Sequence, residues 1–318
     1  MYILTGGAGF IGSNTLATLN RMDCTDILVV DNIGASSKWE ILVGKSFRLY
    51  VHKNSLWPWL EKHTHENVEA VIHLGACTDT MEKDFDYLAE NNVAYSRRLW
   101  RFCADRQIPF VYASSAATYG DGGNGFSDAH DQTTAYKPIN PYGYSKHLFD
   151  LWALKQKKTP PQWYGIKFFN VYGPSENHKG RMASVPNFAI PQARQNGKIR
   201  LFKSYRVGIR DGEQKRDFVY VQDVVDLVVH FLDTSAPSGL YNAGTGRSRS
   251  FNDLAKAIFS ALKIAGEIEY FEMPEAIRNS YQYFTEADMH KLIATGYTHA
   301  PVSLEEGIAR YVEWLSLK

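Results

Sequence analysis

The chain has 318 residues, 44% of them hydrophobic, which is enough for about two domains with ordinary cores and too apolar for a disordered chain. Lys and Arg number 35 against 34 Asp and Glu, a net charge of +1, which argues against a nucleic-acid binder gripping phosphates along a basic face. Three cysteines, Cys24, Cys77 and Cys103, give neither a disulfide framework nor a zinc-ligand spacing, so reduced thiols and no metal site are expected.

Met1 to Thr5 runs straight into glycines, without the basic start and apolar stretch of a signal peptide. Tyr2 to Thr5, Ile27 to Val30, Ala70 to Leu74 and Pro109 to Ala113 read as buried strands. Between them, Asp84 to Arg106 has helical length and spacing, and a further strand is expected at Tyr164 to Phe169. This alternation predicts an α/β fold, a Rossmann-type doubly wound parallel sheet. Beyond it, Pro186, Pro191, Pro237, Pro274 and Pro301 break the chain into shorter runs. They predict a smaller, discontinuous α/β substrate domain. Residues 1–170 form the expected dinucleotide domain, with about 215–245 returning to it, and 171–318 mainly the second domain. The apolar run Val224 to Leu232 is broken by Asp226 and His230 and is not a membrane span; a cytoplasmic protein is expected. Leu304, Ile308, Tyr311, Val312 and Leu315 share one face of a last, core-facing helix.

Thr5-Gly6-Gly7-Ala8-Gly9-Phe10-Ile11-Gly12 follows the first strand and opens a helical pattern. Gly6 permits a tight turn, Gly9 lets backbone approach a pyrophosphate, and Gly12 lets helix pack on strand. The unpaired N–H groups of the helix start then face phosphates. An acid, Asp31, ends the second strand about 20 residues on, completing the order expected for dinucleotide binding. Asp31 suits the ribose 2′-hydroxyl of NAD, whereas Lys38 suits the 2′-phosphate of NADP. The residues alone leave both open.

Tyr142-Gly143-Tyr144-Ser145-Lys146 puts Tyr142 and Lys146 on one face of a helix. That spacing is common enough to arise by chance. Its place after the strand ending at Ser114-Ser115 gives it weight, because sites in parallel sheets form at the carboxyl ends of strands. A free phenol ionises near pH ~10, and a neighbouring ammonium and a cationic nicotinamide are expected to lower that. Tyr142 can then take a proton from a sugar hydroxyl as hydride leaves the carbon. Ser115 bonds the same oxygen and Lys146 holds the nicotinamide ribose. Tyr144, with no lysine four residues on, reads as a packing or surface residue.

Further motifs are Ser114-Ser115-Ala116-Ala117-Thr118-Tyr119-Gly120 and Phe169-Asn170-Val171-Tyr172-Gly173-Pro174. With them stand His178-Lys179-Gly180-Arg181-Met182-Ala183-Ser184-Val185, Lys215 to Val221 and Tyr281 to Asp288. On these the chain resembles, over essentially its whole length, the nucleotide-sugar enzymes of the extended short-chain dehydrogenase/reductase family, and among them the ADP-heptose 6-epimerases. The resemblance implies NADP-dependent oxidation at C6 of an ADP-linked heptose, re-reduction on the opposite face, and a place in making lipopolysaccharide core precursors. It implies Tyr142 as acid/base group, Ser115 as its assistant and Lys179 as a second acid/base group. Phe10, Ile11, Asp31, Asn32, Lys38 and Lys53 would hold the cofactor, together with Leu74, Gly75, Ala76, Cys77, Thr78, Asn91, Lys146 and Val171. Asn170, Arg181, Phe202, Lys203, Ser204, Arg216 and Tyr281 would line the sugar-nucleotide site. A homo-oligomer, a pentamer, is implied too. The chain departs from the family pattern with Arg181 in place of Ser, Phe188 in place of His, and added residues at Tyr205 to Gln214 and around Asp121 to Gly125.

Three other readings compete. An NAD-dependent nucleotide-hexose 4-epimerase would use Ser115, Tyr142 and Lys146 but has no need of Lys179. A sugar 4,6-dehydratase would need an Asp-Glu pair where Ala116-Ala117 stand. A non-catalytic dinucleotide sensor would tolerate losing Tyr142 or Lys146, and both are present.

Overall fold

The computed structural model describes residues 1–278 and 281–317. Its centre is a seven-stranded sheet in which every pair is parallel. The strands are β1 (Tyr2–Thr5), β2 (Ile27–Asp31), β3 (Leu49–His52), β4 (Ala70–His73), β5 (Phe110–Ser115), β6 (Trp163–Phe168) and, from much later, Gly239–Ala243. Most of them are apolar and buried on both faces, as a parallel sheet covered by helices requires. The spatial order is Gly239–Ala243, β6, β5, β4, β1, β2, β3. The chain therefore reverses direction across the sheet between β1 and β4, and a crevice opens there outside the carboxyl ends.

Alternate side chains of each strand feed two cores. On one face Leu4, Ile72, Val111 and Ile166 meet Leu16 and Leu19 of α1 (Phe10–Arg21) and the helix Val221–His230. On the other, Ile3, Val71, Phe110 and Tyr112 meet α3 (Leu56–Lys62), α5 (Tyr95–Arg106) and α6 (Pro141–Leu154). Two shorter helices are α2 (Lys38–Leu42) and α4 (Phe85–Leu88). The helical stretch expected over Asp84 to Arg106 is present, with α4 and α5 joined by a wider π-turn at Ala89–Ala94. Such turns often mark functional sites, and this one carries Asn92 under the crevice. Strand β6 starts and ends one residue before its expected bounds, leaving Phe169 as the link to β7 (Asn170–Tyr172).

Strands Lys198–Phe202 and Glu267–Phe271 pair in parallel away from the main sheet. Helices Val185–Asn196, Phe251–Leu262 and Leu304–Ser316 cover them in a separate core. The last of these buries Leu304, Ile308, Tyr311 and Val312, with Leu315 half-buried. Val221–Ala243 returns to the first unit. Its helix packs Val221 and Val225 on Phe10, and its strand pairs with β6. Among the described residues no helix is long and apolar enough to cross a membrane.

Candidate active site

A cavity of about 700 Å³ opens at the carboxyl edge of the sheet, a size suited to a small-molecule or cofactor site. The glycine loop forms its floor, with Gly6, Gly9, Phe10, Ile11 and Gly12 in its wall. A Cβ on Gly12 would stand 2.0 Å from the Gly6 carbonyl oxygen, so α1 packs on β1 only because this residue has no side chain. Gly9 caps α1 without a side-chain bond, and no acid occupies the first turn. Among the described residues nothing accepts from the N–H groups of Phe10 and Ile11, so these donors and the helix dipole point into the cavity.

Asp31 is 7% exposed and already well supplied with donors. Its Oδ2 accepts from the Ala8 N–H (2.9 Å), and its Oδ1 from the Asn32 N–H (2.7 Å) and Lys38 Nζ (3.0 Å). Asp31 and Lys38 both line the cavity. Asn32 is exposed, and Lys53 and Asn91 bond to each other; all three stand outside the cavity lining.

Leu74, Gly75, Ala76, Cys77 and Thr78 follow β4 along the wall. Asn92, which the sequence reading passed over for its neighbour Asn91, fixes this loop. It is 1% exposed, donates to the Cys77 carbonyl (2.9 Å) and the Ser145 hydroxyl (3.0 Å), and accepts from the Cys77 N–H (2.9 Å). Its only sequence signal is an asparagine inside a helical run, where that residue is a poor helix former.

Ser115, Tyr142 and Lys146 come together in the same wall. Asn140 caps α6 by accepting from the Gly143 N–H (2.7 Å), with Pro141 beginning the helix. A Cβ on Gly143 would lie 2.6 Å from the Ala117 carbonyl oxygen, so α6 touches the backbone of the turn after β5. That contact sets Tyr142 beside Ser115. Lys146 is 5% exposed and donates to the Ala113 carbonyl (2.9 Å). Burial pushes its ammonium down to about 8, with Asp150 opposing the fall. The part of the Tyr142 lowering expected from Lys146 is not present. Burial drives it above its ordinary value, only the Ser115 hydroxyl favours ionisation, and Lys146 is engaged with Ala113 instead.

Lys179 enters the cavity from the loop after β7. Its Nζ lies 5.4 Å from the Phe10 ring centroid, and burial lowers its ammonium while Glu176 opposes that. Glu176 is 0% exposed and brackets the loop, accepting from the Gly173 N–H (3.2 Å), the Ser184 N–H (2.6 Å) and the Ser184 hydroxyl (2.6 Å). His178 also lines the cavity, and burial with the Lys38 and Lys179 cations pushes it down to about 4, leaving it neutral. In the sequence His178 stands beside Lys179 in the loop motif, with no signal of its own that marks it as a cavity residue.

The substrate candidates divide. Asn170 and, for the cofactor, Val171 line the cavity. Arg181 does not; it is exposed and pairs with Asp79 of the opposite loop at 2.7 Å, across the cavity rim. Arg216 is buried one layer out, its guanidinium 5.0 Å from the Tyr281 ring and 5.6 Å from Phe251, which does line the cavity. Phe202 packs on Tyr281, Lys203 pairs with Glu272, and the Ser204 N–H donates to Asp211. These four also lie outside the lining. Among the described residues no group of three or more His, Cys, Asp or Glu side chains could hold a metal ion.

The glycine cradle, the free N–H donors and the buried ammonium of Lys146 suit an anionic dinucleotide. Residues 2–244 match the profile of the NAD dependent epimerase/dehydratase family. Over 98% of this chain and 97% of the other, the sequence is 48% identical to a Fusobacterium nucleatum protein named ADP-L-glycero-D-manno-heptose-6-epimerase. The crystal structure of a Helicobacter pylori protein of the same name superposes with a TM-score of 0.83 at 26% identity, covering 99% of this chain and 96% of that one. The UDP-glucose 4-epimerase of Thermus thermophilus, in complex with NAD, gives a TM-score of 0.78 at 26% identity over 98% of each chain.

Proposed function

The chain belongs to the NAD dependent epimerase/dehydratase family, and from that membership we propose that it inverts C6 of ADP-glycero-manno-heptose by oxidation to a 6-ketone and re-reduction. A nicotinamide dinucleotide supplies, when bound, the place to which hydride leaves and from which it returns. Phe10 and Ile11 would offer their N–H groups to its phosphates, and Lys146 would donate to its ribose. Tyr142 and Ser115 hold the C6 oxygen and exchange its proton through the phenol. Inversion requires the ketone to present its other face, which moves that oxygen away from the first phenol. Lys179 then serves as the second proton donor and acceptor.

One observation carries this reading. A second acid/base candidate, Lys179, shares the cavity with Tyr142, in a chain 48% identical to a protein named for this reaction. A 4-epimerase has no need of that lysine. The preferred cofactor is NADP. Asp31 already accepts from three protein donors, one of them Lys38, which takes up part of its capacity for a ribose diol, while Lys38 brings to the cavity wall the positive charge that suits a 2′-phosphate. The test is to supply ADP-D-glycero-D-manno-heptose and follow C6 configuration by NMR. Appearance of the L-glycero epimer is expected, and conversion only of nucleotide hexoses at C4 would overturn the proposal.

A further inference from the structure

A buried ion pair lies beneath the cleft. Asp150 of α6 and Lys167 of β6 are both 0% exposed, with Lys167 Nζ 2.7 Å from Asp150 Oδ2. Such a pair gains little over two apolar side chains of the same volume, because desolvating two charges offsets their attraction. Stability alone does not account for it, and its bonds lead to the site. Asp150 accepts from the Ser114 hydroxyl (2.7 Å) and the Tyr112 hydroxyl (3.0 Å), both on β5. Lys167 donates a second bond to Thr118 Oγ1 (2.8 Å), and the Thr118 hydroxyl donates to the Ser115 carbonyl (2.8 Å). Asp150 stands one helical turn past Lys146 and two past Tyr142, on the same face of α6.

We propose that Asp150, locked in place by Lys167, is a positioning residue for the reaction: it fixes α6 against the end of β5 and supplies the counter-charge of the Lys146 ammonium. Burial lowers the Lys146 ammonium, and the Asp150 carboxylate opposes this. The same carboxylate works against a Tyr142 phenolate. The charged and titratable groups facing Asp150 are Tyr112 on β5, Lys167 on β6, Lys146 and His147 on α6, and Tyr119 beyond Thr118. This rests on the roles proposed above for Tyr142 and Lys146.

The test begins with the apoprotein, labelled with ¹³Cε-lysine and titrated by NMR, the Lys146 signal being assigned through Lys146→Arg. The parent midpoint is expected at about 8. The double variant Lys167→Met with Asp150→Leu removes both members of the buried pair together and should fold. Its Lys146 midpoint should fall by about half to one pH unit, less than loss of the carboxylate alone would cause, because the Lys167 cation leaves with it. Its kcat should fall about tenfold or more through lost alignment, with the dinucleotide dissociation constant changed less than about threefold. Thr118→Val removes the bond to the Ser115 carbonyl and one of the Lys167 partners but keeps the Asp150–Lys167 pair, and should lower kcat while leaving the Lys146 midpoint in place. A double variant with an unmoved Lys146 and a parental kcat overturns the proposal, as does a loss of rate that tracks the folded fraction alone. The titration uses neither cofactor nor sugar, so its failure is distinct from failure of the proposed reaction.

Discussion

Lys38→Ala separates the two cofactors. Lys38 is 27% exposed on its side chain and contacts Asp31 Oδ1 at 3.0 Å and the Asn32 carbonyl at 3.2 Å. A hydrogen bond to a charged partner contributes about 1.5–3 kcal/mol, and partial exposure places this one at the lower end. At about 1.4 kcal/mol per tenfold, NADP binding should weaken by roughly 10- to 30-fold. The Asp31 anion, released from this partner, adds to the loss for a 2′-phosphate. NAD carries no such phosphate and should weaken by less than about threefold, because Ala8 and Asn32 still hold Asp31 in place. Calorimetric titration of both cofactors at fixed ionic strength measures the ratio. High salt should narrow the NADP deficit, since this contact sits near solvent. Parallel weakening of NAD and NADP would refute the reasoning, by showing that Lys38 acts only through Asp31 and the end of β2.

Tyr142→Phe and Lys179→Met should each slow epimerisation by ~10²-fold or more, a usual size for losing a general acid/base group, with cofactor affinity retained. A folded Lys179→Met enzyme turning over near the parental rate would return Lys179 to the status of a loop lysine. Gly12→Ala should abolish dinucleotide binding or folding, because its Cβ would sit 2.0 Å from a backbone oxygen; retained affinity in a titration would contradict that geometry. In heavy water, C6 of the product should take up no deuterium if the same hydride leaves and returns, and mass spectrometry checks this. His73 predicts acid sensitivity. Its ring nitrogens meet the Thr5 and Ser96 hydroxyls at 2.6 and 2.8 Å, and burial pushes it down to about 3. Its contribution is complete above its unfolded value of ~6.5 and is lost as pH falls toward the folded one, about 2 kcal/mol by pH ~5. Urea unfolding of His73→Gln at neutral and at mildly acid pH should lack that slope.

Local chemistry made most of the first domain legible. Buried β-branched runs, the spacing of Gly6, Gly9 and Gly12, and the acid ending β2 each need only a few adjacent residues. The pairing of Tyr142 with Ser115 was readable because strand ends in a parallel sheet converge. Other features depend on distances the sequence does not carry. Arg181 was expected among the substrate contacts, yet Asp79, a hundred residues earlier, faces it across the rim. Asn91 and Asn92 differ in pattern by nothing, and only the π-turn decides which one enters the core. The Tyr142 phenol was expected to be lowered by Lys146 at helical spacing. The spacing is real, but the ammonium is committed to the Ala113 carbonyl, and burial then dominates.

Burial acts on the two acid/base candidates in opposite senses. It raises Tyr142 above an ordinary phenol and lowers Lys179 below an ordinary amine, because in each case the neutral form is cheaper to desolvate. The neutral phenol is a proton donor and the neutral amine a proton acceptor, so burial favours a complementary pair. An epimerase needs one group of each kind at any moment, since the oxygen that loses a proton in oxidation must regain one from the other side. A single residue serving both faces would have to swing, and this loop is not built to swing. Glu176 ties its two ends through Gly173 and Ser184, and Lys179 rests against Phe10 at the start of α1. With both groups fixed, the proposed reaction makes the sugar the moving part, its ketone turning within the cavity of about 700 Å³.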